Sequence, residues 1–299
     1  PREASTVTLV ILATEPLAVA LWQRQPGLYL PGTYGAAGDG VRLDTKPLQS
    51  AIDTAARAGG GTVLLPPGRY LSGTLFLKSN VTLHLSAGAT LLGSPNLADY
   101  PLTVPKIRSY TDNYTDKSLL YGEDLENVAI EGAGTLDGQG KSFSGPYKVR
   151  PYMLRLINSR RVAVNAVAFR NSPMWVQHYL ACEDVTIGGI TVHSRVNANN
   201  DGIDIDACDR VRISDCDISS GDDTIVIKST LARPARNIVV TNCVLSTHCN
   251  ALKLGTESNG GFENIAISNC TIYDTRLSGI ALEAVDGGAL DRVQVSNII

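Results

Sequence analysis

The chain has 299 residues, 43% of them hydrophobic, which is enough to bury a large core in one elongated domain or two compact ones. A formal net charge of -3 leaves no basic footprint, so nucleic acid is excluded as an expected partner. Glycine is abundant (28) and phenylalanine scarce (4), a balance suited to tight turns and stacked aliphatic side chains rather than packed helices.

Thr6 to Leu21 is apolar but interrupted by Glu15 and Pro16, and it is too short to span a membrane. Without a basic leader or an A-x-A site, it reads as an N-terminal strand or leader remnant, and residues 1–33 are set apart on that basis. From Asp44 the pattern changes. Asp44 and Thr45 are candidate caps for a short helix through Ala58, with Leu48, Ala51, Ile52 and Ala55 on one face and Gly59, Gly60 and Gly61 ending it. A strand from Thr62 to Leu65 and a Pro-Pro-Gly turn follow, as in a cap over one end of a repetitive structure.

Short apolar alternations then recur, with first apolar residues at 81, 128, 162, 185, 211, 238, 265 and 293, so the intervals are 47, 34, 23, 26, 27, 27 and 28. A unit of this length built from short strands predicts a parallel β-helix with one turn per repeat over residues 34–299. The two long early intervals imply inserted loops or an unmarked coil. Leucine-rich repeats share the period but need a consensus that is absent. Cys216, Cys243 and Cys270 fall 27 residues apart, and Cys182 and Cys208 both precede a strand's first valine by three. Stacked neighbours about 4.8 Å apart are wider than a disulfide requires, so packed free thiols are expected. No C-x-x-C or paired-histidine spacing supports a metal site, and no cofactor is expected.

A second strand in each repeat aligns Gly202-Ile-Asp-Ile-Asp, Thr224-Ile-Val-Ile-Lys, Ala251-Leu-Lys-Leu-Gly and Gly279-Ile-Ala-Leu-Glu. Alternation sends Ile203, Ile225, Leu252 and Ile280 inward. Asp204, Val226, Lys253 and Ala281 form one outward column; Asp206, Lys228, Gly255 and Glu283 form the other. The row Asp201, Asp223, Asn250, Ser278 comes just before. Asp201, Asp222 and Asp223 thus gather where two strands begin, roughly 5 Å between neighbouring coils. A turn of Asn and Asp residues ahead of each strand accounts for the same residues without chemistry. The acids and lysines together describe a groove for an extended polar polymer, in which one carboxyl group stays protonated and another ionised, the division glycoside hydrolysis needs. For Asp204 and Asp206 the preferred reading is structural, as ion pairs with Lys253 and Lys228.

The N-x-D motif (Asn199, Asn200, Asp201), the G-D-D motif (Gly221, Asp222, Asp223) and the stretch from Gly35 through GGGTVLLPPGRYLSGTLFLKSNVTLHLSAGATLLGS together resemble glycoside hydrolase family 28, the polygalacturonase group. The resemblance implies an all-β, right-handed parallel β-helix and hydrolysis with inversion. By similarity, Asp222 would be the general acid, and Asp201 with Asp223 would hold and deprotonate water. The family's G-H-G histidine aligns with Asn250, and His248 lies two residues early, either reaching the site through a loop or facing solvent. The family's R-I-K motif aligns with Ala281-Leu282-Glu283, so both cations are missing. A glutamate there would repel a uronate. The expected substrate is accordingly a pectin-type polysaccharide other than plain polygalacturonan. Asn199, His248, Asn250, Lys228, Lys253 and Glu283 are the candidate substrate-binding residues, Lys228 and Lys253 offering one replacement uronate contact.

The alternatives are a Ca²⁺-dependent lyase on the same coil and a β-helix that only binds glycans. The final stretch, Arg292 to Ile299, opens a repeat without a polar cap, so the coil is expected to be incomplete at that end. A monomer that stays off membranes and works outside the cytoplasm, extracellular or periplasmic, completes the expectation.

Overall fold

The structure is a computed structural model that describes residues 27–110 and 115–299. Its strands are parallel and wind as a right-handed β-helix with three faces, here A, B and C. Face A carries the repeat read from the sequence: Val128 pairs with Val162, then Val185, Val211, Ile238, Ile265 and Val293 in unbroken register. Val81–Leu85 pairs directly with Glu126–Gly132, and that strand with Arg160–Asn165. The long early intervals are therefore inserted loops, not an extra coil.

The residue before each first apolar position explains how the chain turns onto face A. Asn80, Asn127, Arg161, Asp184, Arg210, Asn237, Asn264 and Arg292 all have φ between +52° and +63°. Asn and Asp tolerate this left-handed conformation, and here neighbours also stack. Asn127 Nδ2 donates to Asn80 Oδ1 at 2.7 Å, Arg161 Nε to Asn127 Oδ1 at 2.6 Å, and Asn264 Nδ2 to Asn237 Oδ1 at 3.0 Å.

The helix Thr45–Arg57 covers one end, with Leu48, Ala51, Ile52 and Ala55 fully buried. Asp44 occupies the N-cap position without capping through its side chain. Its carboxylate accepts instead from the Ala37 and Gly38 amides at 2.7 and 2.9 Å, and Thr45 Oγ1 accepts from Gly73 N at 2.8 Å. Both expected caps thus hold neighbouring chain rather than helix donors. Leu28–Tyr29 pairs with Thr62 and Val63, so part of the span 1–33 is a strand at this end of the coil. Thr6 to Leu21 lies outside the described residues.

On face C, Ile203, Ile225 and Leu252 align and are buried, each worth about 1.5–3 kcal/mol of apolar transfer, whereas Ile280, next in the same row, is 39% exposed rather than inward. All six cysteines are free; Cys182, Cys208, Cys216, Cys243 and Cys270 are buried in the stacks expected of them, and Cys249 is half-buried.

Lys106, Tyr110 and Thr115 of the first inserted loop reach residues of face C and of the segment after its last strand. The Thr115 carbonyl accepts from Arg155 Nη1 at 3.1 Å, Lys106 N donates to Glu123 Oε1 at 2.7 Å, and the Tyr110 hydroxyl donates to the Asp286 carboxylate. The second carries Arg150 to the carbonyls of Pro173 and Ala198, at 2.7 and 2.8 Å.

Candidate active site

Three strands of face C build the site: Ile203–Asp206, Ile225–Ser229 and Asn250–Ser258. Since Ile203 pairs with Ile225 and Ile225 with Leu252, the residues two positions earlier, Asp201, Asp223 and Asn250, fall in one row. Backbone bonds close that row: Gly202 N donates to the Asp223 carbonyl at 2.8 Å and Thr224 N to the Asn250 carbonyl at 3.0 Å. Asn200, fully buried, shapes the turn ahead of Asp201. Its Oδ1 accepts from the Val196 and Asn197 amides, and its Nδ2 donates to the carbonyls of Ser172 and Met174.

The carboxylates differ in surroundings. Asp223, 3% exposed, accepts from Asn250 Nδ2 at 2.7 Å and lies 3.3 Å from Lys253 Nζ. Asp222 is more accessible. Its Oδ1 accepts from Asp223 N at 3.0 Å, and its carbonyl is held by the hydroxyls of Ser220 and Thr247. Asp201 is 4% exposed, and its Oδ1 has no hydrogen-bond partner. Burial, reinforced by the charge of Asp222, pushes the Asp201 carboxyl well above the usual range, while Lys228 opposes the shift. The carboxyls of one site are therefore unlike: Asp201 is buried with no partner on Oδ1, while Asp222 and Asp223 accept from nearby donors.

Two corrections follow from the surrounding face. The columns through Asp204 and Asp206 do point away from the core, but they are not an open ridge. Asp204 and Asp206 are at most 1% exposed. Their ion pairs also differ from expectation: Asp204 lies 4.0 Å from Lys228, while Asp206 accepts from Thr230 N and Oγ1 at 2.9 and 2.6 Å. Burial, with Asp201 adding to it, pushes the Asp204 carboxyl up; burial likewise pushes neighbouring His178 down, leaving a neutral imidazole.

The second correction concerns register. Ile227 pairs with Leu254 but Ser229 with Ser258, so Gly255, Thr256 and Glu257 lie opposite Lys228 alone. This bulge brings Glu257 Oε2 to 2.9 Å from Lys228 Nζ, where simple alternation places Gly255. Lys228 is 5% exposed and also stands 5.0 Å over the Trp175 ring, so it is enclosed rather than presented to a groove. Glu257 and Trp175 have no equal spacing that would reveal them in the sequence.

The remaining candidates divide. Asn250 joins the cluster through Asp223. Lys253 bridges Asp223 and Glu283, the latter at 3.6 Å; burial opposes its charge, but the two carboxylates outweigh it and hold the ammonium above its usual range. Glu283 also accepts from Thr256 Oγ1 at 2.9 Å. Asn199, at φ +57°, directs its amide oxygen to Arg150 at 3.2 Å, away from the acids. His248 is exposed on its turn, with Nε2 3.3 Å from Arg195 Nη1. Cys249, between His248 and Asn250, was not singled out by spacing, yet its sulfur and one oxygen each of Asp222 and Asp223 lie within 4.8 Å of one another. That grouping is a possible cation-holding set among the described residues, made by different coils and invisible to C-x-x-C or paired-histidine spacing.

Fold and site together define a parallel β-helix with a carboxylate cluster at the entry to one face. Residues 62–298 match the model of glycosyl hydrolases family 28, and the chain belongs to that family. It is 32% identical to a probable polygalacturonase of Vitis vinifera, over 84% of this chain and 55% of that protein. It is 28% identical to an exo-poly-alpha-D-galacturonosidase of Dickeya chrysanthemi, over 86% of this chain and 52% of that protein. The chain thus spans about half the length of these curated relatives. The fold is shared with a hyperthermoactive exopolygalacturonase from Thermotoga maritima, with a TM-score of 0.78 at 24% identity, covering 91% of this chain and 76% of that one.

Proposed function

We propose that the chain is the β-helical part of a glycoside hydrolase that cleaves a pectin-type polysaccharide with inversion at Asp201, Asp222 and Asp223. The convergence of these carboxyls from adjacent coils is the observation that carries the reading. Asp222, the accessible one, is positioned to meet a glycosidic oxygen and serves as general acid. Asp223, one row deeper and braced by Asn250 and Lys253, deprotonates the attacking water, which Asp201 helps to hold. Proton transfer between these carboxyls, the glycosidic oxygen and water needs no cation.

The substrate follows from the rim. The curated relatives are named for galacturonan, but this chain has Ala281 and Glu283 where the family pattern has two cations. Lys253 is already engaged by Asp223 and Glu283. A substrate with a neutral sugar at that subsite, such as a rhamnogalacturonan backbone or a side-chain glycoside, suits these residues better than plain polygalacturonan. Among the described residues no helix is long and apolar enough to cross a membrane. A monomer working outside the cytoplasm suits a polymeric substrate.

The test is a panel of pectic polymers incubated in chelator, following reducing ends and the anomer first released by NMR. Reducing ends of inverted configuration support the proposal. An unsaturated, ultraviolet-absorbing product that chelator abolishes would mean a lyase; binding without product would mean a glycan-binding coil.

A further inference from the structure

Face B carries a groove that the proposed reaction does not use. Its strands Ala168–Arg170, Thr191–Ser194 and Asp217–Ser220 lie side by side, with Arg170 opposite His193, His193 opposite Ser219, and Thr191 opposite Asp217. Outward positions of neighbouring strands repeat about every 4.8 Å, so these side chains stand as rungs along the coil axis. Tyr273, just past the strand Phe262–Ile272, joins the lining with its side chain 52% exposed. Together they bound a cavity of about 400 Å³. Among the described residues the Arg170 guanidinium forms no ion pair and a single hydrogen bond, 3.4 Å to the adjacent Phe169 carbonyl; the Asp217 carboxylate forms neither. An uncommitted guanidinium offers parallel N–H groups to a carboxylate, a bare carboxylate accepts from hydroxyls, and a tyrosine ring supplies a rigid amphipathic surface. The groove therefore complements a chain that carries both carboxylates and hydroxyls. The strand Asp217–Ser220 runs on through Gly221 into Asp222 and Asp223, so the groove and the carboxylate cluster lie on neighbouring faces of the same coils.

We propose that this groove is a second polysaccharide-binding site, separate from the carboxylate cluster, that holds a uronate-containing glycan. Arg170 takes a sugar carboxylate, His193, Asp217 and Ser219 take hydroxyls, and Tyr273 stacks on a sugar ring. The occupant is another stretch of the polymer cut on face C, so the choice of polymer rests on the hydrolase reading, while binding in the groove does not.

Two measurements test this. In the first, the full chain carrying Asp222→Asn is run in affinity electrophoresis through rhamnogalacturonan and through the same polymer with its carboxyls reduced to alcohols. Adding Arg170→Gln weakens retention several-fold on the acidic polymer only, because the lost contact is to a carboxylate. Adding Tyr273→Ala weakens retention on both. Arg212→Gln, which removes an exposed charge from face A, leaves retention unchanged. Retention unaltered by both groove variants overturns the proposal, and so does an equal loss in Arg212→Gln, which would mean attraction by overall charge. The second measurement uses the active chain. Arg170→Gln and Tyr273→Ala raise KM on the polymer several-fold and leave kcat/KM on a short oligosaccharide, which fills face C alone, close to wild type. Equal losses on polymer and oligosaccharide would place these residues in the active site and overturn a separate groove. A wild type that releases no product but loses retention in the groove variants removes the hydrolase reading and leaves the groove standing; product release with unaltered retention does the reverse.

Discussion

Asp223 Oδ2 and Lys253 Nζ meet at 3.3 Å across two neighbouring coils, with side chains 5% and 12% exposed. Breaking a pair this enclosed leaves the other charge uncompensated, at a cost of about 3–5 kcal/mol where burial is complete. Lys253→Met is expected to lose about 3 kcal/mol or somewhat less, because the lysine keeps some solvent. The double variant Asp223→Asn, Lys253→Met should be the more stable of the two in urea denaturation. A double variant no more stable than Lys253→Met would show that the pair is not coupled.

On the proposed hydrolase reading, turnover should depend on the cluster rather than on the coil. Asp222→Asn and Asp223→Asn keep shape and should lose the proposed proton transfer, so kcat is expected to fall by roughly 10²- to 10⁴-fold. Substrate affinity, measured by calorimetry, stays within a few-fold of wild type. Unchanged product release in Asp222→Asn would remove it as general acid.

Stability should fall as pH rises, because of Asp204. Its carboxyl is pushed up by burial and by Asp201, so the unfolded chain, ionising near pH 3.9, releases that proton first. Fewer protons on the unfolded state means that stability is lost with rising pH from that point upward. Asp204→Asn removes this term. Its melting temperature should gain on wild type at pH 7 relative to pH 4, with Glu257 still pairing Lys228 at 2.9 Å. Equal differences at both pH values would contradict the burial argument.

Specificity at the rim is reversible if the two missing cations set it. Ala281→Arg with Glu283→Lys restores a site for a uronate carboxylate, where a charge-assisted pair contributes about 1.5–3 kcal/mol. Activity on oligogalacturonates should rise at least tenfold relative to neutral pectic oligosaccharides, read as kcat/KM. No change in that ratio would place substrate selection elsewhere.

What the sequence by itself determined is the coil: its period, the register of face A and most of its inward residues, Ile280 being the exception at 39% exposed. Those properties are local, because an alternating strand preceded by an Asn or Arg turn must repeat to bury its apolar face, and stacking then dictates which residues become neighbours. Asp201 and Asp223 could be paired from the text for that reason, as could Ile203 with Ile225. The tertiary structure alone decided which outward positions are open. Asp204 and Asp206 are buried although they point away from the core, and a bulge after Leu254 brings Glu257 to Lys228. It also placed Cys249 among the acids and turned Asn199 toward Arg150. Periodicity carries no record of where an insertion lies down or how a bulge shifts the next side chain, since both depend on contacts between segments remote in the chain.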